Sequence, residues 1–167
     1  MQMLKKALLV GCIAFSAVGM ATAKEGHDHV HAITSTSHAD VREFPECLHC
    51  GMDREKFSHS RMVVMYADGT KVGTCSISCV AREKKKNPGK EIRSLQVADY
   101  DTRKLHEAKD AIWVIGGTKR GVMSPVAKWA FGSKEAAEQF VRVNGGKIAG
   151  FAEAMNMAQE EPPKQKH

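Results

Sequence analysis

Six consecutive residues, Cys47-Leu48-His49-Cys50-Gly51-Met52, carry two thiols, an imidazole and a thioether. Sulfur donors select soft or borderline ions such as Cu(I) and Zn(II) over hard ions such as Mg(II) and Ca(II). The two-residue gap of the C-x-x-C pair lets both thiolates of one tight turn face a single ion, and a glycine directly after the second cysteine suits that turn. A second pair, Cys75 and Cys79, follows at a spacing that places both thiols at the opening of a helix. Knuckle, hairpin, then helix with the second pair is the order of a treble-clef zinc site, so on spacing alone structural zinc competes evenly with copper.

The methionines move the balance toward copper. Structural zinc sites use Cys and His, hardly ever Met. Met52 lies two residues beyond Cys50, so in an extended backbone its thioether leaves on the same side. Met123 stands in a polar, loop-like stretch, residues 118–125, where a core methionine is less expected. Met62, Met65, Met155 and Met157 fit core or amphipathic positions instead. Thiol-disulfide oxidoreductases also use C-x-x-C, but they place it after a strand and at a helix N-terminus. Here Gly51 and the polar residues 53–60 follow it, and no βαβ pattern precedes it. His59 and His106 stand alone, with no Ser-His-Asp spacing or glycine-rich phosphate loop in the chain. The expectation is a binding protein, not an enzyme.

The elements that must position these donors follow from patterning. Lys5 and Lys6, an apolar run over residues 7–20 and Ala21-Thr22-Ala23 have the order of an export signal cleaved after Ala23. That run is shorter than the roughly 20 residues of a bilayer-spanning helix. Cys12 within it is a weaker candidate for lipidation. Cleavage leaves four of the five cysteines and lowers the formal charge from +6 to +4. In an oxidising compartment four thiols could also form two disulfides. So small a positive excess, spread along the chain, gives no nucleic-acid footprint. Residues 24–43, with His27, His29, His31 and His38, contain too few large apolar side chains to order themselves and read as a flexible leader, able to collect metal weakly.

From residue 44 the pattern predicts strands over 61–67 and 70–74 joined at Asp68-Gly69, and a helix over 76–86 stopped by Asn87-Pro88-Gly89. It then predicts a strand over 91–98, an irregular charged stretch, and strands over 111–115 and 126–131. A helix capped by Ser133 and closed by Asn144-Gly145-Gly146 comes next, then a short strand at 147–149 and a helix over 151–157. Residues 159–167 read as a frayed polar tail. Gly69-Thr70-Lys71-Val72-Gly73 is echoed by Gly117-Thr118-Lys119-Arg120-Gly121, and Cys75 and Met123 each lie two residues beyond. If the echo marks a repeat, the two sulfurs occupy equivalent positions.

Residues 45–157 resemble the NosL family, exported copper-binding proteins known as accessory factors for nitrous oxide reductase. The resemblance rests on Cys47-Leu48-His49-Cys50-Gly51-Met52, the Asp68-Gly69 hairpin, Trp113-Val114-Ile115-Gly116-Gly117 and Met123 before a Pro-containing strand. It continues through Phe131-Gly132-Ser133-Lys134-Glu135-Ala136-Ala137-Glu138-Gln139-Phe140 and Asn144-Gly145-Gly146-Lys147-Ile148. It implies a small α+β domain of two similar strand-hairpin-helix halves, treble-clef-like and organomercurial-lyase-like. It also implies Cu(I) binding, with Cys50, Met52 and Met123 the best carried-over ligands. The chain departs from the family in two respects: its signal favours release into the periplasm over a lipid anchor at Cys12, and many members lack the pair found here as Cys75 and Cys79.

The resulting expectation is a periplasmic Cu(I) metallochaperone with Cys47, Cys50, Met52, Met123, Cys75 and Cys79 as its metal-binding residues and His49 a weaker candidate. Its partner would be an exported cuproenzyme, of the nitrous oxide reductase type by resemblance, or that enzyme's assembly proteins. A structural zinc module presenting a protein-binding surface is the alternative, and a thiol-disulfide oxidoreductase the third reading.

Overall fold

The computed structural model describes residues 38–162. The expected signal segment, Cys12, and His27, His29 and His31 lie outside the described residues. The first half of the domain opens with helix α1 (Ala39–Glu43) and the knuckle loop. Strands β1 (Met62–Tyr66) and β2 (Lys71–Thr74) form the predicted hairpin, in which the Asp68 carboxylate accepts from the Thr70 N–H at 2.8 Å. Helix α2 (Ile77–Lys86) follows, ending in three lysines whose charge suits the negative end of the helix dipole. Strands β3 (Ile92–Ala98) and β4 (Leu105–Glu107) complete an antiparallel sheet in the order β2-β1-β3-β4.

The second half contains β5 (Ile112–Ile115), β6 (Lys128–Phe131), α3 (Lys134–Asn144), β7 (Lys147–Ala149) and α4 (Phe151–Glu160). Its sheet has the order β6-β5-β7, and the Ser133 side chain caps α3 by accepting from the Ala136 N–H.

The halves share one topology. In each, the first strand pairs with the second, a helix follows, and the chain returns as a third strand on the other side of the first. The strand registers set the equivalences. Thr74 ends β2 opposite Met62, and Phe131 ends β6 opposite Ile112, so Cys75 corresponds to Gly132 and the α2 N-cap Ser76 to Ser133. The Gly-Thr-Lys echo therefore misaligns the repeat. Its first copy spans the tight turn and β2, whereas its second lies in the long connection between β5 and β6. Met123 sits in that connection at φ 56°, a left-handed conformation uncommon for a residue with a side chain, and is not the counterpart of Cys75.

Three elements differ from the sequence expectation. Helix α1 occupies residues assigned to the flexible leader, because Asp40 is fixed by two buried arginines, Arg54 and Arg61, supplied from 14 and 21 residues away. Strand β4 lies in the stretch read as irregular. It is only three residues long, and its return is set by Asp99, whose Oδ1 accepts from the N–H groups of Asp101 and Thr102. The C-terminal helix continues past Ala158 to Glu160, and Glu161 then pairs with the buried Lys128 ammonium, so the ordered chain runs further than composition suggests.

Two apolar cores result. One joins α2 and α4 to Met62, Val64, Trp113 and Ala130. The other surrounds the cysteines with Val114, Trp129, Phe131 and Phe140.

Candidate metal centre

The knuckle closes on itself. The Cys47 N–H donates to the Met52 carbonyl at 2.9 Å, and the Gly51 N–H to the Cys47 carbonyl at 2.9 Å. Gly51 takes φ 69°, which a residue bearing a Cβ adopts only with strain. The loop is then laid on β2, where the Leu48 N–H donates to the Gly73 carbonyl at 3.2 Å. Gly73 allows this close packing: a Cβ there would lie 2.5 Å from the Phe44 Cβ and 2.9 Å from the Arg54 guanidinium carbon. Arg54, wholly buried just beyond the knuckle, donates to the carbonyls of Thr74, Phe44, Asp40 and Met62. Thr74 immediately precedes Cys75, so one guanidinium ties the knuckle to the strand that delivers the third thiol. On the other side of Cys75, the Ser60 hydroxyl donates to the Cys75 carbonyl at 2.8 Å. Cys79 enters on the first turn of α2, its N–H bonded to the Ser76 carbonyl.

This scaffold brings the four thiols Cys47, Cys50, Cys75 and Cys79 within 4.8 Å of one another. The Sγ separations are 3.5 Å for Cys50–Cys75, 3.7 Å for Cys75–Cys79 and 3.8 Å for Cys50–Cys79. All four are free thiols. A tetrahedral ion with metal–sulfur bonds of about 2.3 Å has sulfur–sulfur edges of about 3.8 Å, so the cluster has the dimensions of a metal-binding set. Cys47, Cys75 and Cys79 are buried, and Cys50 is half-buried, making it the thiol nearest solvent.

Proximity spreads the acidities of the group. The Cys47 thiolate is strongly favoured, first by hydrogen bonding from Cys50 and then from Cys75 and Cys79, with the His49 N–H adding to it. Cys50 is pushed up by its sharing with Cys47 and pulled down further by Cys75 and Cys79, ending at about 7. Cys75 and Cys79 are raised, chiefly because each serves the Cys47 and Cys50 thiolates. Protons thus leave the knuckle pair first. In the metal-free reduced protein, alkylation of Cys50 by iodoacetamide should rise through pH about 7, below the ordinary thiol value of about 8.5. Mass mapping of the modified cysteine against pH checks this; a rise centred at 8.5 or above would contradict it.

The other sequence candidates fall in different places. The Met52 sulfur lies 4.0 Å from the Cys75 sulfur, at the edge of the cluster. Met123 is half-buried against the same apolar core and lines a cavity of about 550 Å³ between α2 and the end of α4. His49 turns away: its Nε2 is 2.7 Å from Glu83 Oε2 on α2. Glu83, Arg54 and Asp40 support the site without belonging to any sequence motif. Only Glu83 carried a local signal, being four residues after Cys79 and hence on the same helix face.

The sequence matches the NosL family over residues 38–158. The chain belongs to the NosL family. No curated protein matches it. Among solved structures, this NosL-family chain is similar to the copper chaperone NosL from Shewanella denitrificans, at 21% identity and a TM-score of 0.52. That match covers 65% of this chain and 87% of the other, and it shows a shared fold. The mixed helix and sheet architecture expected from the resemblance is therefore the family's own. Among the described residues of this NosL-family chain no helix is long and apolar enough to cross a membrane.

Proposed function

We propose that this NosL-family protein is an exported Cu(I) carrier that holds its cargo on the clustered sulfurs and passes it to a cuproenzyme or that enzyme's assembly proteins. The observation that carries the reading is the donor set: four thiols within 4.8 Å, a thioether 4.0 Å from one of them, and the one imidazole of the knuckle bonded elsewhere. Thiolate and thioether donors favour Cu(I). Likeness to a copper chaperone, the resemblance of the motifs and the export-like first 23 residues support the same direction. A client of the nitrous oxide reductase type follows from the resemblance alone.

The knuckle supplies two thiols, the end of β2 a third and the first turn of α2 the fourth, and Cys50 is the thiol nearest solvent. A partner's sulfur approaching from the Cys50 side can enter the coordination sphere before an old ligand leaves. Met52, a neutral and weaker donor than a thiolate, would share the ion without adding charge to a buried site. Met123, in the same apolar core, is the second thioether to test.

Structural zinc is the second reading, favoured by one observation: the separations among the Cys50, Cys75 and Cys79 sulfurs are those of one face of a four-thiolate tetrahedron, with Cys47 within 4.8 Å of each. Titration of the reduced protein with Cu(I) and with Zn(II), each against competing chelators, separates the two. The carrier reading expects one Cu(I) bound in preference to zinc and retained less well in Met52→Ala or Met123→Ala. Tight zinc on four thiolates, with neither methionine substitution altering Cu(I) retention, would leave the structural zinc module standing and remove the carrier.

A further inference from the structure

Resting on the reading that the thiols bind a metal ion, we propose that Glu83 is a specificity-determining residue that keeps the site all-sulfur by holding the His49 imidazole out of it. His49 lies between Cys47 and Cys50 in the same tight turn and is therefore the nitrogen donor best placed by sequence to complete the site. Instead its ring is buried, with 3% of the side chain exposed, and bonded to a Glu83 carboxylate that is itself 4% exposed. Imidazole suits borderline ions such as Zn(II) and Ni(II), whereas thiolates joined by a thioether favour the softer Cu(I). Removing one nitrogen from the available donors therefore shifts preference toward the softer ion.

Glu83 is built to hold its partner. One oxygen, Oε1, accepts from the Tyr66 hydroxyl on β1 and from Asn87 Nδ2 at 2.8 Å, and the other takes His49 at 2.7 Å. Turning His49 toward the sulfurs would strip a buried carboxylate oxygen of its donor, and buried carboxylates without donors are strongly disfavoured. The helix register makes the arrangement possible. Glu83 lies one turn beyond Cys79, so the thiol and the residue that sequesters the imidazole come from adjacent turns of α2. A residue serving only to pin the knuckle would require a matching shape and a hydrogen bond. It would not determine which element binds the ion.

X-ray absorption on the full reduced chain loaded with Cu(I), and separately with Zn(II), tests this through ligand identity. The expected wild-type result is sulfur scattering with no imidazole contribution for either ion. In Glu83→Leu the imidazole should appear around zinc, and the Zn(II)-to-Cu(I) affinity ratio should rise about ten- to a hundredfold. Glu83→Gln, whose oxygen can still accept from Tyr66 and Asn87 while its amide N–H donates to the neutral His49 Nε2, should restore both, and the double variant Glu83→Leu/His49→Ala should return the zinc site to sulfur alone. If Glu83→Leu does not fold, Glu83→Ala is read in its place with the same expected imidazole signal and the same overturning result, and His49→Ala should match wild type in either case. An imidazole signal in wild type that vanishes in His49→Ala overturns the proposal, as does a sulfur-only spectrum with an unchanged ratio in Glu83→Leu. A wild-type protein that prefers zinc would remove the Cu(I) carrier, yet the zinc spectra would still decide the role of Glu83.

Discussion

Replacing Asp40 by alanine is expected to destabilise the domain by about 3–5 kcal/mol, the range for removing one partner of a buried ion pair. Asp40 accepts from Arg54 Nη2 at 2.8 Å, from Arg61 Nε at 2.9 Å and from Arg61 Nη2 at 3.0 Å. Both guanidiniums are buried and the carboxylate nearly so. Alanine would leave two cations in a low-dielectric interior with no counter-charge. The damage would also reach the thiol cluster, because Arg54 holds the Thr74 carbonyl next to Cys75. Urea denaturation at neutral pH measures the loss; a change below about 1 kcal/mol, the worth of an exposed pair, would show that solvent already compensates the arginines.

The same carboxylate predicts how the loss depends on pH. Burial pushes the pKa of the Asp40 carboxyl up, but hydrogen bonding and charge from Arg61, then Arg54, outweigh it and hold that pKa below the ordinary carboxylate value. A group depressed in the folded state contributes stability that is complete above its unfolded value, about 3.9, and is lost as pH falls through the folded one. Wild-type and Asp40→Ala stabilities should therefore differ most at neutral pH and converge in acid below that window.

Cu(I) loading is expected to stabilise the folded protein by about 4 kcal/mol when the free ion is buffered at a thousandfold excess over the dissociation constant, and Cys75→Ala should remove most of that gain. Cys75 is the central sulfur. It lies 3.5 Å from Cys50, 3.7 Å from Cys79 and 4.0 Å from Met52, with no exposed surface. Its loss opens the cluster between knuckle and helix, whereas the loss of half-buried Cys50 would leave the inner thiols adjacent. Thermal denaturation of the reduced protein, with and without chelator-buffered Cu(I), reads both states. A Cys75→Ala variant that keeps the full metal-dependent gain would exclude Cys75 from the ligand set and restrict the site to the knuckle and methionines.

Most of the domain was legible because its signals are local. Alternating or continuous apolar residues marked β1, β3 and β5, Asp68-Gly69 marked the hairpin, and Ser133 with Asn144-Gly145-Gly146 marked both ends of α3. Helix α1 and strand β4 were missed because neither has a local pattern of its own. Five residues of α1 hold their place through Asp40 and two distant arginines, and three residues of β4 through pairing with β3. The internal repeat was detected by the wrong residues. Turn-forming Gly, Thr and Lys recur wherever chains reverse, while the true correspondence lies in strand register, and register is a relation between segments.

By itself the sequence determined which donors exist and how they are grouped: a C-x-x-C-G-M knuckle, a Cys-x-x-x-Cys pair at a helix start, and methionines in two different settings. Those follow from spacing, since ligands two to four residues apart share a turn whatever surrounds them. Only the tertiary structure decided which groups meet. It brought the knuckle to α2 through β2 and Arg54, set the Met52 sulfur 4.0 Å from that of Cys75, and turned His49 onto Glu83. It also placed Met123 along the cavity beside α2. Contacts across 20 to 34 residues depend on how two elements pack, and no one segment carries that information.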